Sequence, residues 1–190
     1  MGEQGASNWK TRGGGVSLIR HFVADEYAKN IFEIDLKKLK DAGKKVIFTD
    51  LDNTLVGSAV KHPTPEIIAF IKDAKEMGFE ILIMSNNNFK RVSLFTKDLG
   101  ITAHHKALKP LKVKMGRILK NYKRDEVIMI GDQLMTDVLV AKRLGLYTIL
   151  VEPIELKQDE RRTKINRKLE RLVVRSLKKR SLPIPAHLEK

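Results

Sequence analysis

Residues 45–55 read KVIFTDLDNTL. Val46, Ile47 and Phe48 form a short apolar run of strand formers, the composition of a strand buried on both faces of a parallel sheet. The run stops at Thr49, and two carboxylates follow, Asp50 and Asp52. Residues two apart in extended chain project to the same side. Two negative groups held together there repel each other unless a cation lies between them, and oxygen-only ligands favour a hard ion such as Mg2+. The bland reading is a polar corner between strand and loop, and one short motif does not decide between the two.

The chain on either side of this stretch supplies the context. Thr64 and Pro65 read as the N-cap and first residue of a helix with the stripe Ile67, Ile68, Ile71, Ala74 and Met77, stopped by Gly78. A second strand is expected over 79–84, running into Ser85-Asn86-Asn87-Asn88, then a helix over 90–99 and a weak strand over 101–108. Leu111, Met115, Ile118, Leu119 and Tyr122 make another helical stripe. Strands are expected over 126–130, before Gly131-Asp132, and over 146–151, with a helix over 136–144 between them. This alternation predicts an α/β fold, a Rossmann-like parallel sheet with helices on both faces. Ligands bind such sheets at the carboxyl ends of the strands. Asp50 and Asp52, Ser85 and Asn86, Lys109, and Asp132 and Asp137 all fall at those ends and are expected to converge on one rim.

Composition narrows the class. At 190 residues and 42% hydrophobic content the chain can bury one sizeable core. It has no Cys, which excludes a disulfide framework and a thiolate zinc site. No apolar run approaches a membrane span, and residues 16–23 are too short and too broken by Arg20 and His21 for a secretory signal, so a cytoplasmic location is expected. Net charge is +14, and residues 161–180 hold ten of the 37 Lys and Arg but one of the 23 acids, so nine of those charges sit in one segment. Residues 1–15, with five of the twelve glycines, are expected to form a flexible tail, 16–157 the main domain with 16–39 as a brace, and 158–190 a basic amphipathic helix and tail.

The rim residues suit phosphoryl transfer. Asp50 is ionised at neutral pH and needs no base to make it nucleophilic. Its repulsion from a phosphate can be cancelled by Mg2+, with Asp132 and Asp137 as further oxygen ligands, and by the Lys109 cation. Ser85 and Asn86 carry donors for phosphate oxygens, and Asp52 can protonate the leaving oxygen and later take a proton from water.

Asp50-Leu51-Asp52-Asn53-Thr54 resembles the D-x-D-x-T motif of the haloacid-dehalogenase (HAD) phosphatase superfamily. Ser85 after ILIM, Lys109 in Lys-Pro, and Gly131-Asp132 through Asp137 resemble its second, third and fourth motifs, in order. The resemblance implies Asp50 as nucleophile and Asp52 as general acid/base with its backbone carbonyl on the metal. It also implies phosphate binding by Ser85, Asn86 and Thr54, and Mg2+ held among Asp50, Asp52, Asp132 and Asp137. Asp137 could instead bind through water or orient Lys109. Lys106 is the weaker candidate for the third motif, and Asn87 and Asn88 read as loop residues. His104 and His105, adjacent on a strand, would face opposite ways and are expected in solvent rather than on a metal. Residues 55–63 and 89–105 are too short to hold a cap domain, so the site is expected to be open and to suit a phosphate carried on something large.

TDLDNTLV, SNNN, KALKP and GDQLMTDVLVAKRLG more closely resemble the YqeG-type subfamily III A phosphatases, related to phosphatidylglycerophosphate phosphatases. That implies a phosphatidylglycerophosphatase of phospholipid metabolism, with an anionic phospholipid partner at the inner face of the membrane. Two other readings stand beside it: the same chemistry on a soluble or macromolecular phosphomonoester, and a nucleic-acid or ribosome-associated binding protein. The basic segment, with its stripe Ile165, Leu169, Leu172, Val173 and Leu177, could lie on lipid, bind RNA, or pack on the protein's own core.

Overall fold

The computed structural model describes residues 18–155 and 164–188, so the expected tail at 1–15 and the basic residues Arg161 and Arg162 lie outside it. Six strands, β1 (Glu26–Ala28), β2 (Val46–Thr49), β3 (Glu80–Met84), β4 (Thr102–His104), β5 (Val127–Gly131) and β6 (Tyr147–Val151), form one parallel sheet. Their order is β1-β6-β5-β2-β3-β4. Helices α1 (Leu36–Asp41), α2 (Pro65–Glu76), α3 (Phe89–Thr96), α4 (Lys112–Leu119), α5 (Leu139–Leu144) and α6 (Lys164–Lys179) accompany it.

The period of two along each strand sorts the core into two layers. Ile47, Ile81, Ile83, Ile128 and Ile130 face Ile67, Phe70 and Ile71 of α2 and Val92 and Phe95 of α3. Val46, Phe48, Leu82, Met84, Val127 and Met129 face Met115 and Leu119 of α4 and Val140, Ala141 and Leu144 of α5. Each fully buried side chain of this size contributes about 1.5–3 kcal/mol. α2 starts as expected: the Thr64 Oγ1 accepts the Ile67 N–H at 3.4 Å, and Pro65 fills the first turn. It stops at Gly78, whose φ of +82° takes the left-handed turn that a side chain would resist.

Residues 16–39 are more than a brace. They contain β1, an edge strand registered against β6 with Glu26 opposite Ile149. Three half-buried residues with no apolar run give no strand signal in the sequence. The weak strand shrinks to Thr102–His104, and the helix expected over 136–144 begins earlier, as a π-helical turn over Leu134–Val138 that leads into α5.

α6 is joined to the sheet. Val174 and the fully buried Leu177 lie in its inner face, Val174 packing with Ala24, Leu134, Val138 and Leu150. The expected stripe is only partly right, because Leu169 and Leu172 stay exposed and Val174 rather than Val173 is buried. Among its described side chains, which begin at Lys168 and so leave out Ile165, the helix meets the core at Val174 and Leu177. Among the described residues, no helix is long and apolar enough to cross a membrane.

From β2 the chain winds outward to β3 and β4, then returns to β5 and β6 on the other side of β2. Connections therefore leave β2 and β5 in opposite directions, opening a crevice at their carboxyl ends, the place where such sheets bind ligands. The connections at residues 50–64 and 85–88 carry no inserted domain over it.

Candidate active site

Asp50 follows β2 directly, its N–H continuing the ladder to the Ile130 carbonyl at 2.9 Å. Asp132 follows Gly131 at the end of the neighbouring β5. The buried Lys109 reaches in from the loop between β4 and α4 and donates to Asp50 Oδ1 at 2.8 Å and to Asp137 Oδ1 at 2.6 Å. One carboxylate oxygen from each of Asp50, Asp132 and Asp137 lies within 4.8 Å of the others, and all three residues are buried.

The backbone puts Asp137 there by two devices. The π-helical turn folds it back toward β5, with the N–H groups of Asp137 and Val138 both on the Gln133 carbonyl and the Gln133 N–H donating to Asp137 Oδ2 at 3.2 Å. Gly131 then leaves open the space its own Cβ would fill, and the Asp137 carboxylate occupies that space. Such turns recur at functional sites because they re-aim one side chain without ending the helix.

Electrostatically the site is over-supplied with acid. Burial pushes the Asp50 carboxyl up to about 6, against the pull of the Lys109 cation and with the help of the Asp137 charge. Burial also works against the Lys109 ammonium, but Asp137 and Asp50 outweigh it and hold the lysine above its ordinary value. Among the described residues, three buried carboxylates and one buried lysine meet here, a set whose charge a further cation would offset. The donors are all hard oxygens, with no thiolate in the chain, so the set fits a divalent ion of the Mg2+ class.

Asp52 stands apart from this cluster. Its Oδ1 accepts from Arg91 Nε at 3.0 Å and Nη2 at 2.8 Å, and its Oδ2 accepts from Asn87 Nδ2 at 2.9 Å. Its carboxylate is therefore turned to α3, which leaves only its backbone carbonyl for the metal role expected of it. Asn86 also has a task the sequence did not suggest. Its Oδ1 accepts the Lys109 N–H at 2.8 Å and its Nδ2 donates to the Lys109 carbonyl at 3.0 Å, so the amide clasps the peptide of the lysine. Thr54 Oγ1 donates to Asp132 Oδ1 at 3.4 Å and so braces an acid. Ser85 is buried at the end of β3, its Oγ accepting the Asn87 N–H at 3.1 Å. Lys106 is exposed, so of the two lysines only Lys109 enters the cluster. His104 and His105 are half-buried rather than solvated, and the His105 ring meets Phe89 edge-on at 5.4 Å.

Arg91 and Asn87 are the site residues that sequence reasoning passed over. A signal for Arg91 was available in Asn88, whose side chain caps α3 by accepting the Arg91 N–H at 2.9 Å. A capped helix starting at the rim places its third residue beside the strand ends. Nothing in the sequence marks Asn87 apart from its neighbours.

The family model of the haloacid dehalogenase-like hydrolases matches residues 5–145. The chain is 43% identical over 165 residues to the probable phosphatase YqeG of Bacillus subtilis (strain 168), covering 86% of this chain and 95% of that one. It is 27% identical over 179 residues to phosphatidylglycerophosphate phosphatase 1, chloroplastic/mitochondrial, of Arabidopsis thaliana, covering 87% of this chain and spanning 51% of that relative. The crystal structure of an uncharacterized protein from Listeria monocytogenes serotype 4b shares the fold, with a TM-score of 0.50 at 18% identity, covering 62% of this chain and 84% of that one.

Proposed function

The chain belongs to the haloacid dehalogenase-like hydrolases and is a phosphomonoester hydrolase, and from that premise we propose a Mg2+-dependent phosphatase that works through an aspartyl-phosphate on Asp50. The observation that carries this is Lys109 Nζ held between Asp50 and Asp137, with Asp132 beside them at the crevice. Asp50 attacks phosphorus, the bond from phosphorus to the ester oxygen breaks, and Asp52 gives that oxygen a proton. Water then attacks the aspartyl-phosphate, Asp52 takes the proton of the water, and the bond to Asp50 breaks to release inorganic phosphate. Lys109 offsets the charge between nucleophile and phosphate, while the Ser85 hydroxyl and the remaining Asn86 N–H serve phosphate oxygens. Bound Mg2+, held by Asp50, Asp132 and the Asp52 carbonyl with Asp137 alongside, would neutralise phosphate charge.

The substrate we propose is phosphatidylglycerophosphate, converted to phosphatidylglycerol by an enzyme resting peripherally on the cytoplasmic face of a membrane. An uncapped crevice suits a phosphate carried on a larger body, and one relative bears that substrate in its name. The test is phosphate release from phosphatidylglycerophosphate in micelles and from a panel of soluble phosphomonoesters, with Mg2+ or EDTA. Release should favour the lipid, need Mg2+, and vanish in Asp50→Asn, while Asp52→Asn should accumulate a labile acyl-phosphate. Most of the activity surviving in Asp50→Asn would remove the nucleophile. Preference for soluble esters would move the substrate, and salt-sensitive RNA retention with no phosphate release would replace the enzyme reading altogether.

A further inference from the structure

We infer that the rim built by the β3–α3 and β4–α4 loops is a docking face for an anionic lipid bilayer. Four of the large apolar side chains most open to solvent lie there: Phe89 at 65% exposure, Leu108 at 53%, Leu111 at 56% and Val113 at 66%. The two loops form one surface. The Lys106 N–H donates to the Asn87 carbonyl at 2.8 Å, the Ala107 N–H to the Ser85 carbonyl at 2.9 Å, Asn86 clasps the Lys109 peptide, and Phe89 rests on His105. Because α3 and α4 follow β3 and β4, their first turns lie at the carboxyl edge of the sheet, beside Asp50.

The backbone actively turns one of these residues outward. Leu108 sits at φ +59° and Lys106 at φ +47°, a left-handed conformation that costs any residue with a Cβ free energy and persists only where its surroundings enforce it. The result alternates Ala107 inward, Leu108 outward and Lys109 inward. Charge selects the partner. Residues 85–92 and 104–114 contain six Lys and Arg and no Asp or Glu. Arg91 and Lys109 serve Asp52, Asp50 and Asp137, and the half-buried Lys114 donates to the His105 carbonyl, leaving Lys90, Lys106 and Lys112 exposed among the apolar side chains. Bulky apolar groups ringed by lysines match the boundary between anionic headgroups and acyl chains. With one aromatic ring among the four, the surface suits hydrocarbon better than stacked bases.

The surface stands on these observations, and its use, to bring a lipid phosphate to Asp50, rests on the phosphatase reading above. The test is co-sedimentation with vesicles of phosphatidylcholine alone or mixed equally with phosphatidylglycerol. The full chain should bind the mixed vesicles. Phe89→Ser/Leu111→Ser/Val113→Ser should weaken binding roughly tenfold or more, even at salt that screens charge. Lys90→Gln/Lys106→Gln/Lys112→Gln should weaken it chiefly at low salt. Both variants should keep wild-type turnover of a small soluble ester, which also shows that they fold. Failure of the wild type to bind, undiminished binding by both variants, or loss confined to Arg171→Gln/Arg175→Gln/Lys178→Gln on α6 overturns the inference. Absence of soluble-ester turnover in the wild type strikes the phosphatase reading instead, and the vesicle assay still reports on the surface.

Discussion

Gly131→Ala asks whether the acid cluster depends on empty space beside β5. A Cβ at Gly131 would stand 2.5 Å from Asp137 Oδ2 and nearer still to the Cβ and Cγ of Asp137. Gly131 is not among the glycines at positive φ, so the neighbour and not the backbone opposes the alanine. Asp137 is short and set in the π-helical turn, so it cannot move its carboxylate aside and still hold Lys109. Withdrawing it forfeits a charge-assisted hydrogen bond, about 1.5–3 kcal/mol. Moving the turn instead overpacks the layer, about 1–3 kcal/mol. If the Asp137–Lys109 contact reaches its full strength only in the transition state, the first cost corresponds to about a ten- to 150-fold loss in kcat. Denaturant melts and phosphate release against Mg2+ concentration measure the two effects. Gly116→Ala is the control: its Cβ would meet Leu144 Cδ2 at 3.5 Å, an ordinary contact, inside α4. There alanine should stabilise by about 0.5–1 kcal/mol and leave turnover unchanged. If Gly131→Ala behaves like Gly116→Ala in both assays, the packing argument for Asp137 is wrong.

Because the Asp50 carboxyl is raised from an ordinary 3.8 to about 6, its contribution to stability is full below about 3.8 and is lost as pH rises through 6. In EDTA, wild type should therefore lose stability relative to Asp50→Asn over that window, on the order of 2–3 kcal/mol, and added Mg2+ should reverse the trend; a flat difference in melting temperature would contradict the burial argument. Asp132→Ala should raise the Mg2+ concentration needed for turnover or abolish activity, and an unchanged Mg2+ titration would remove Asp132 from the metal set. Arg91→Ala should lower kcat roughly tenfold or more, with little change in KM for a small ester, since Arg91 positions Asp52; a rise in KM alone would make Arg91 a substrate ligand. Leu177→Ala should cost about 2–5 kcal/mol in a denaturant melt, and a loss below 1 kcal/mol would mean α6 is not part of the core.

The sequence made the sheet legible where strands are apolar on both faces. β2, β3, β5 and β6 could be read from their composition, and the residue after β2, β3 and β5 could be recognised because its polarity breaks an apolar run. β1 was illegible because an edge strand of three half-buried residues needs no apolar signature; its place is set by pairing with β6. At the site, the residues after strand ends were visible, and so was Lys109, from its Lys-Pro context. Of the partners of Asp52, Asn87 was hidden because it comes from a different connection and meets Asp52 only in the folded chain, while Arg91, the third residue of α3, was marked only indirectly through the Asn88 cap. The stripe of α6 was misjudged for a related reason: periodicity says which face is apolar, while the end of β6 decides how much of that face finds a partner.

The wiring of β1 has a consequence for the order of events during synthesis. β1 is made before any other strand, yet its partner β6 lies on the far side of four strands in the sequence, Glu26 waiting for Ile149. Every acid and base of the crevice is complete once Asp137 has emerged, while β1 still has nothing to pair with. Closing that longest loop pays the largest entropy and brings a strand of three half-buried residues. The nascent chain thus assembles its chemistry first and seals its margin last, with α6 fastened over the seam only after β6 is in place.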